Sequence, residues 1–376
     1  MTSALPTVSP RQATAFILRR QGFIDHRLAP LEVVRRLVAV QSQYLASVPV
    51  AVWTRQPNTP YPWADQAQYE DKSLVRVWCL RGTVHTLASV DLPLFVARQL
   101  EKKDYWFLRY LTSQGVGDAE LKRRNKKIMA ALKKGPVSRH RLHEMIPELQ
   151  ELKGAGYGID VRALTFTGDV VFAGVEGNHP RFARRDLWLP DLKWRVPSVK
   201  AANHELLLRY FVAYGPATLK DFAYWTGMKA SEAKAIFTAN QAELAEVAVT
   251  GWPAGQLVRA ADIDELLNSP EDLPPVMLVP KFDNLLLAWR DKGRVIDEHG
   301  YKHIYRKAAQ VDAAVFIDGR IQAGWRIKPG KTLAVSLNAW GKRTKRVQKQ
   351  VAAKFDEYAR WTGADGARIE YVDGFG

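Results

Sequence analysis

One pattern, met twice, constrains this chain more than anything else in it. "KKIMAALKKGPVSRHRLHEMI" (126–146) and "HELLLRYFVAYGPATLKDFAYWTG" (204–227) each run an amphipathic stretch into a Gly-Pro pair, Gly135-Pro136 and Gly215-Pro216. Ile128, Ala131 and Leu132 line one face of the first stretch; Leu207, Leu208 and Phe211 line one face of the second. Such spacing is that of a helix buried on one side, and Gly-Pro stops it. A hydroxyl residue follows each break, Ser138 and Thr218, placed to cap a second short helix. After the first copy come a helix candidate at 159–167, the β-rich "DVVFAGV", the turn "EGNHP" and "RFARRDLWL". After the second come the helix "KASEAKAIF", the strand "LAEVAVT", the turn "GWPAG" and the strand "QLVRA". Three helices followed by a hairpin is the order of a winged helix-turn-helix.

A third copy fits the N-terminus without the Gly-Pro. "ATAFILRRQGF" reads as a helix, Pro30 opens another over "LEVVRRLVAV", and "VRVWCLRGTVHTLA" alternates like a hairpin turning near Arg81-Gly82. The last hundred residues change character. "VMLVPKFDNLLLAW", "AAVFIDGRIQAGWRI" and "TLAVSLNAW" are short β-type runs, Asp318-Gly319 is a hairpin turn, and one helix spans Lys345 to Trp361 before "ARIEYVD". The expected fold is therefore α+β: tandem winged helix-turn-helix modules followed by a β-rich, barrel-like C-terminal module. The boundaries place modules at 1–115, 116–195, 196–272 and 273–376, a division that 376 residues and 47% hydrophobic content readily support.

Charge points to the partner. The net charge of +16 favours a polyanion. Residues 122–141 hold nine Lys or Arg and no acid, and residues 326–349 hold eight, again with none. The single cysteine, Cys79, excludes an intramolecular disulfide and a CxxC metal site and fits a reducing cytoplasm. No run approaches the length of a bilayer span, and residues 1–10 lack a secretion signal. There is no P-loop, no zinc-deaminase pattern and no Rossmann fingerprint; "GAGYG" at 154–158 has no strand before it and reads as a connector. No cofactor is expected. The expected protein is a cytoplasmic, nucleoid-associated monomer that binds double-stranded DNA and no membrane.

Three passages resemble the AlkZ-like family of winged-helix DNA glycosylases: "VQSQYLASVPVAVWTR" its QxQ segment, "LRGTVHTLASVDL" its RGT-x-H segment, and "VMLVPKFDNLLLAWRD" with "DGRIQAGWR" its C-terminal segment. They span nearly the whole chain in the family's order. The resemblance implies three tandem winged helices and a β-rich module around a DNA channel. It also implies monofunctional excision of alkylated purines, sometimes from interstrand crosslinks, with the catalytic pair falling on Gln41 and Gln43. The family pattern has an aliphatic residue between the glutamines; here it is Ser42, which keeps both carboxamides and alters the packing between them.

The chemistry of two glutamines restricts the substrate. A carboxamide offers an acceptor oxygen and two N–H donors but no useful proton affinity. It can position a water at C1′ and orient dipoles, yet it cannot serve as a general base near neutral pH. Such a site suits a base that leaves without being protonated, such as a cationic N7- or N3-alkylpurine, and should act little on uracil or undamaged bases. Spacing adds a geometric demand. Residues two apart diverge by about 200° on a helix and share a face on an extended strand. If both meet one water, the helix begun at Leu31 must end or distort near Gln41; the alternative is that both amides merely cap a helix C-terminus.

Other candidates carry two readings each. Arg81 and His85, on one face of a strand, suit a phosphate or the lesion, or else form an internal pair. Asp283 and Asn284 suit anchoring of the C-terminal module more than DNA contact. Arg139, His140 and Arg141 begin a helix, where anions are favoured, while Arg123, Arg124, Lys126 and Lys127 occupy successive positions and cannot share a groove. Lys342, Arg343, Lys345 and Arg346 suit a backbone clamp that adds affinity without sequence specificity. Most tryptophans, including Trp53, Trp78 and Trp289, read as core; Trp252, in a wing turn, reads as exposed and suits either packing or a wedge at the duplex. A non-catalytic winged-helix regulator is the competing reading, but tandem modules in one chain, without a dimerisation helix, weigh against it.

Overall fold

The computed structural model describes residues 4–101, 106–152, 158–341 and 343–375. The chain forms two compact units: Ala64–Asn203, and Met1–Trp63 together with His204–Gly376. Both are mixed α and β, as the alternating helical and hairpin patterns require.

In the unit 64–203 the first Gly-Pro copy is a winged helix-turn-helix. Helix Asp118–Ala131 ends in a turn at Gly135, whose φ of 130° is open to glycine. Ser138 then caps helix Arg139–Met145 by accepting the Arg141 N–H at 3.4 Å. Helix Arg162–Phe166 leads into the hairpin Val170–Glu176 and His179–Arg184, and Val137–Ser138 pairs with the second hairpin strand. The hairpin of the first expected module, Leu74–Trp78 with Val84–Ala88, joins this same sheet through Arg76 opposite Phe172. Trp78, Phe107, Ile128, Leu132, Leu142, Phe172 and Phe182 close the core, each buried side chain of this size contributing about 1.5–3 kcal/mol.

In the other unit the second Gly-Pro copy repeats the plan. Helix Val199–Tyr214 precedes Thr218, which exchanges hydrogen bonds with Asp221 in a capping box; helix Leu219–Thr226 stops at the left-handed Gly227. Helix Ala230–Ala239 and the hairpin Leu244–Val249 with Gln256–Arg259 complete it. Strand Thr7–Val8 adds itself in parallel to the hairpin, a pairing too short to leave a sequence pattern. Helices Pro10–Arg20 and Pro30–Arg36 both carry proline in the first turn, where its missing N–H is harmless.

The C-terminal module is a five-stranded sheet in the order Val276–Val279, Ala313–Ile317, Arg320–Lys328, Leu333–Ala339, Ala367–Tyr371. Leu333, Val335 and Leu337 alternate inward on one strand, and helix Lys345–Trp361 covers them with Val351, Phe355 and Ala359. Asp318 and Gly319 both take positive φ in the hairpin turn, as their pairing in the sequence predicts. No pairing of the first strand with the last closes a barrel among the described residues; the covering helix fills the face that closure would have sealed. No described helix is long and apolar enough to cross a membrane.

Candidate active site

The segment bearing Gln41 and Gln43 is held from both sides. Helix Pro30–Arg36 stops four residues earlier than the apolar run suggests, and Val38 takes φ of 68°. For a β-branched residue that is a true outlier, worth about 1–3 kcal/mol of strain, which persists only when neighbours over-determine it. Here they do. The Asn284 side-chain amide donates to the Leu37 and Ala39 carbonyls at 3.1 and 3.0 Å, and the Tyr214 hydroxyl donates to Leu37 at 2.7 Å. Beyond the glutamines, helix Ser47–Trp53 sinks Val50 and Trp53 into the C-terminal core, where Trp53 stacks on Trp361. Arg55 closes the far end with a two-pronged ion pair to Asp283, both bonds 2.9 Å and both side chains fully buried. Asp283 also caps the Leu285 N–H. Asp283 and Asn284 are thus anchors, as their context in the sequence suggests.

Between these clamps the chain leaves the helix, runs extended over Val40–Gln41 and bends at Gln43. The bend changes the simple expectation of a shared strand face: Gln41 is 6% exposed and Ser42 sealed, while Gln43 is exposed. The two amides lie at different depths.

Beside them lies a feature that the sequence does not announce. Tyr44, directly after Gln43, is 44% exposed, lies parallel to Phe282 with ring centres 6.0 Å apart, and donates its hydroxyl to Gln310 at 3.3 Å. It walls a hollow of about 710 Å³ with Lys281, Lys302, Tyr305, Arg306, Lys307, Gln310, Asp312 and Arg326. Asp312 is buried and bonds Lys281 at 2.9, Arg306 at 3.2 and Arg326 at 3.4 Å. Burial alone would raise its carboxyl, but Lys281 and the two arginines outweigh it and hold the group below the usual carboxylate range. Strain gathers here too: Phe282, Ala308 and Ala309 all take positive φ, at about 1–2 kcal/mol each. These cations are scattered over the sequence, so no run marks them; "KFDN" followed by a lone buried Asp after "AAQV" is the faint signal available.

The remaining candidates divide by unit. In 64–203, Arg81 lies in the turn between two strands at φ 56°, not on the strand itself, yet its guanidinium reaches His85 Nε2 at 3.3 Å. His85 is buried and turns Nδ1 to the Thr83 carbonyl at 3.0 Å. Burial, then the Arg81 charge, push its pKa down to about 3, so it stays neutral, donates to Thr83 and accepts from Arg81. The internal reading therefore describes His85, and Arg81 is its half-buried partner. Arg139 is half-buried; His140 and Arg141 are exposed, share Glu144 at 3.1 and 2.5 Å, and His140 stacks on His179 at the wing. Three cations of the first basic run are paired with acids just outside it: Arg123 and Arg124 bond Glu120, and Lys127 and Arg123 bond Glu148. Helical spacing brings Glu120 onto Arg123 and Arg124, and the turn Pro147–Leu149 brings Glu148 onto Arg123 and Lys127, so these three positions are less free than the run suggests.

In the other unit, Arg343, Lys345 and Arg346 are exposed at the start of helix Lys345–Trp361, with Thr344 as cap and Arg343 over the Tyr371 ring at 5.1 Å. Lys342 lies outside the described residues, as does 154–157 of the glycine-rich connector. Trp252 is corrected from exposed to half-buried: the wing turn folds back so that Arg294 lies over its ring at 4.3 Å. Trp53, Trp78 and Trp289 are core. Burial pushes the Cys79 thiol up to about 12, which leaves it unreactive. No group of three or more metal-ligating side chains occurs among the described residues.

Known proteins resemble this chain over nearly its whole length. The interstrand DNA cross-link repair glycosylase of Streptomyces sahachiroi is 25% identical over 335 residues, 84% of this chain and 87% of its own. The structure of Streptomyces sahachiroi DNA glycosylase AlkZ superposes with a TM-score of 0.83 at 22% identity, covering 97% of this chain and all of that one. Tandem winged helices with an appended β-rich module are accordingly the shared fold. Residues 34–361, from the clamped segment to the last helix, match the model of the AlkZ-like DNA glycosylases; the chain belongs to that family, and its reaction class is hydrolysis of an N-glycosidic bond in DNA.

Proposed function

We propose that this family member removes cationic N7- or N3-alkylpurines from duplex DNA, crosslinked and bulky adducts included, with Gln41 and Gln43 jointly holding the hydrolytic water. The observation that carries the reading is the hold on the segment. A strained Val38, two side chains gripping Leu37 and Ala39, and a buried ion pair at Arg55 are far more than a loop needs to stay folded. Pre-organisation of that kind serves a site where a water must not wander. Gln41, nearly sealed, orients; Gln43, exposed, meets the sugar. Neither amide can take a proton, so the leaving base must already be charged. Crosslinked adducts enter because the Streptomyces relative is named for their repair.

The same reading makes Arg81 a DNA contact oriented by His85, and assigns backbone contacts to Arg139, His140, Arg141, Arg343, Lys345, Arg346 and, from sequence, Lys342. Trp252, packed on Arg294, drops out as a wedge. The protein works as a cytoplasmic monomer without a cofactor, with three winged-helix modules at 1–115, 116–195 and 196–272 and a β-rich module at 273–376. The test is base release from duplex containing 7-methylguanine. Gln41→Ala and Gln43→Ala should each slow release by about ten- to a thousandfold, roughly 1.4–4 kcal/mol of transition-state stabilisation. Undiminished release by both variants overturns the glutamine pair; no release by the native protein overturns the substrate class.

A further inference from the structure

We propose that the hollow beside Tyr44 binds one phosphodiester of the DNA strand, next to the nucleotide that Gln43 meets; the position relative to Gln43 rests on the function proposed above. Five cations line the hollow, Lys281, Lys302, Arg306, Lys307 and Arg326, against the single carboxylate of Asp312. Even with Asp312 fully ionised, a formal surplus of four positive charges faces one concave space. That surplus is not a loose surface cloud. Asp312 sits buried at the floor and fixes Lys281, Arg306 and Arg326 through its two oxygens, so three donors are aligned before any ligand arrives. Lys302 and Lys307 are exposed at the rim and form no ion pair among the described residues.

The chemistry that suits such a place is a singly charged, tetrahedral oxyanion with apolar flanks. Phosphate oxygens take guanidinium and ammonium donors, and the Tyr44 and Tyr305 rings offer flat walls for a sugar. The backbone supports the arrangement: the turn Lys307–Ala309 holds two consecutive alanines in the left-handed region, and the Arg306 N–H closes it on the Gln310 carbonyl at 2.8 Å. Lys281 lies over the Tyr44 ring at 5.0 Å, and Tyr44 adjoins Gln43 in the chain. A strand whose sugar reaches Gln43 therefore passes its next phosphate over the hollow.

The experiment measures binding of the full chain to a duplex with a tetrahydrofuran abasic-site analogue, across a range of salt. Lys302→Ala/Lys307→Ala removes rim charge without touching the Asp312 network, and its thermal midpoint reports that it folds. The expected result is a log–log salt slope shallower by about 0.9, one phosphate's share. A set of duplexes with one neutral methylphosphonate, moved along the phosphates around the analogue, should contain one position that weakens native binding about tenfold and the double variant scarcely further, since coupled losses do not add. An unchanged slope, or losses that add at every position, overturns the proposal. So does stabilisation by inorganic phosphate alone while every methylphosphonate duplex binds as the natural one does, which would make this a site for the free anion. Base release is scored separately on 7-methylguanine duplex. A normal phosphate effect without release breaks the glycosylase substrate and leaves the phosphate site standing, whereas release with additive losses breaks the phosphate site alone.

Discussion

Asp283 and Asp312 are both buried aspartates of the C-terminal module, and the difference between them separates an anchor from a binding site. Asp283 meets one arginine, Arg55, with both oxygens engaged and no exposure on either side. Charge there is balanced and finished. Asp312 meets three cations that are each about a third exposed, and two further lysines stand at the rim. Charge there is overbalanced and open. Counting opposing charges and asking whether water reaches them tells more than the burial of the carboxylate alone.

The comparison is broken most directly by removing each carboxylate. Asp283→Ala strands the Arg55 guanidinium in a sealed interior, and loss of about 3–5 kcal/mol of folding stability is expected in chemical denaturation. Asp312→Asn leaves cations that water can reach, and loss under about 1 kcal/mol is expected. Equal losses would show that the two sites are the same kind of structure. The Asp312 contribution also has a pH signature: its carboxyl is depressed, so its stabilising effect is present at neutral pH and disappears as pH falls below the ordinary aspartate range.

His85 extends the contrast to a buried base whose neighbour carries like charge. Burial and then Arg81 hold its pKa at about 3 against an ordinary 6.5. The unfolded chain therefore binds a proton that the folded one refuses. Stability is complete above pH 6.5 and should fall toward pH 3 at a slope approaching 1.4 kcal/mol, roughly, per unit from this residue. His85→Gln should flatten that part of the stability–pH curve. A curve unaltered in shape would mean that His85 is charged in the fold.

Asn284 comes next in size. It acts on the glutamine segment through the Leu37 and Ala39 carbonyls. Asn284→Ala removes the side-chain donor to Ala39 and leaves Leu37 with the Tyr214 hydroxyl, at about 1–3 kcal/mol of stability, and should slow base release by about tenfold with little change in KM, since the water and not the DNA is misplaced. Asn284→Asp, which keeps the shape and removes the donors, should behave like the alanine. A rise in KM alone would place Asn284 against DNA.

What could be read from the sequence, and what could not, follows the same physical line. The repeated helix-turn-helix was legible because its signals are local: apolar spacing, Gly-Pro, a hydroxyl cap, a turn such as Asp318-Gly319. The early end of the helix after Pro30 was half legible, from the demand that two glutamines meet, but its cause lies in Asn284 and Tyr214, 247 and 177 residues away from Leu37. The wing of the first module looked self-contained because strand periodicity says nothing of which sheet a hairpin joins. Charge was misleading in both directions. The contiguous run at 122–141 looked uniformly free of acid, yet Glu120 and Glu148 engage Arg123, Arg124 and Lys127, whereas the overbalanced hollow draws its lysines and arginines from positions between 281 and 326 with acids interspersed.

The smallest effect is expected at Arg123, and its smallness is the sharpest check on the role of charge balance. Arg123 is exposed and bonds both oxygens of Glu120 at 2.7 and 2.8 Å and Glu148 at 3.2 Å. The hydrogen bonds of Arg123 and Arg124 hold the Glu120 carboxyl down to about 2. By sequence it belongs to the most basic stretch of the chain and is a natural choice for a DNA contact. By geometry its donors are already spoken for, and a phosphate would have to displace two carboxylates to reach it. Arg123→Ala should leave the thermal midpoint where it is and the salt slope of DNA binding unaltered, in contrast to the shallower slope expected for Lys302→Ala/Lys307→Ala. If the slope instead drops by about 0.9, the glutamates release Arg123 when DNA arrives, and static charge pairing does not separate structural cations from binding ones in this fold.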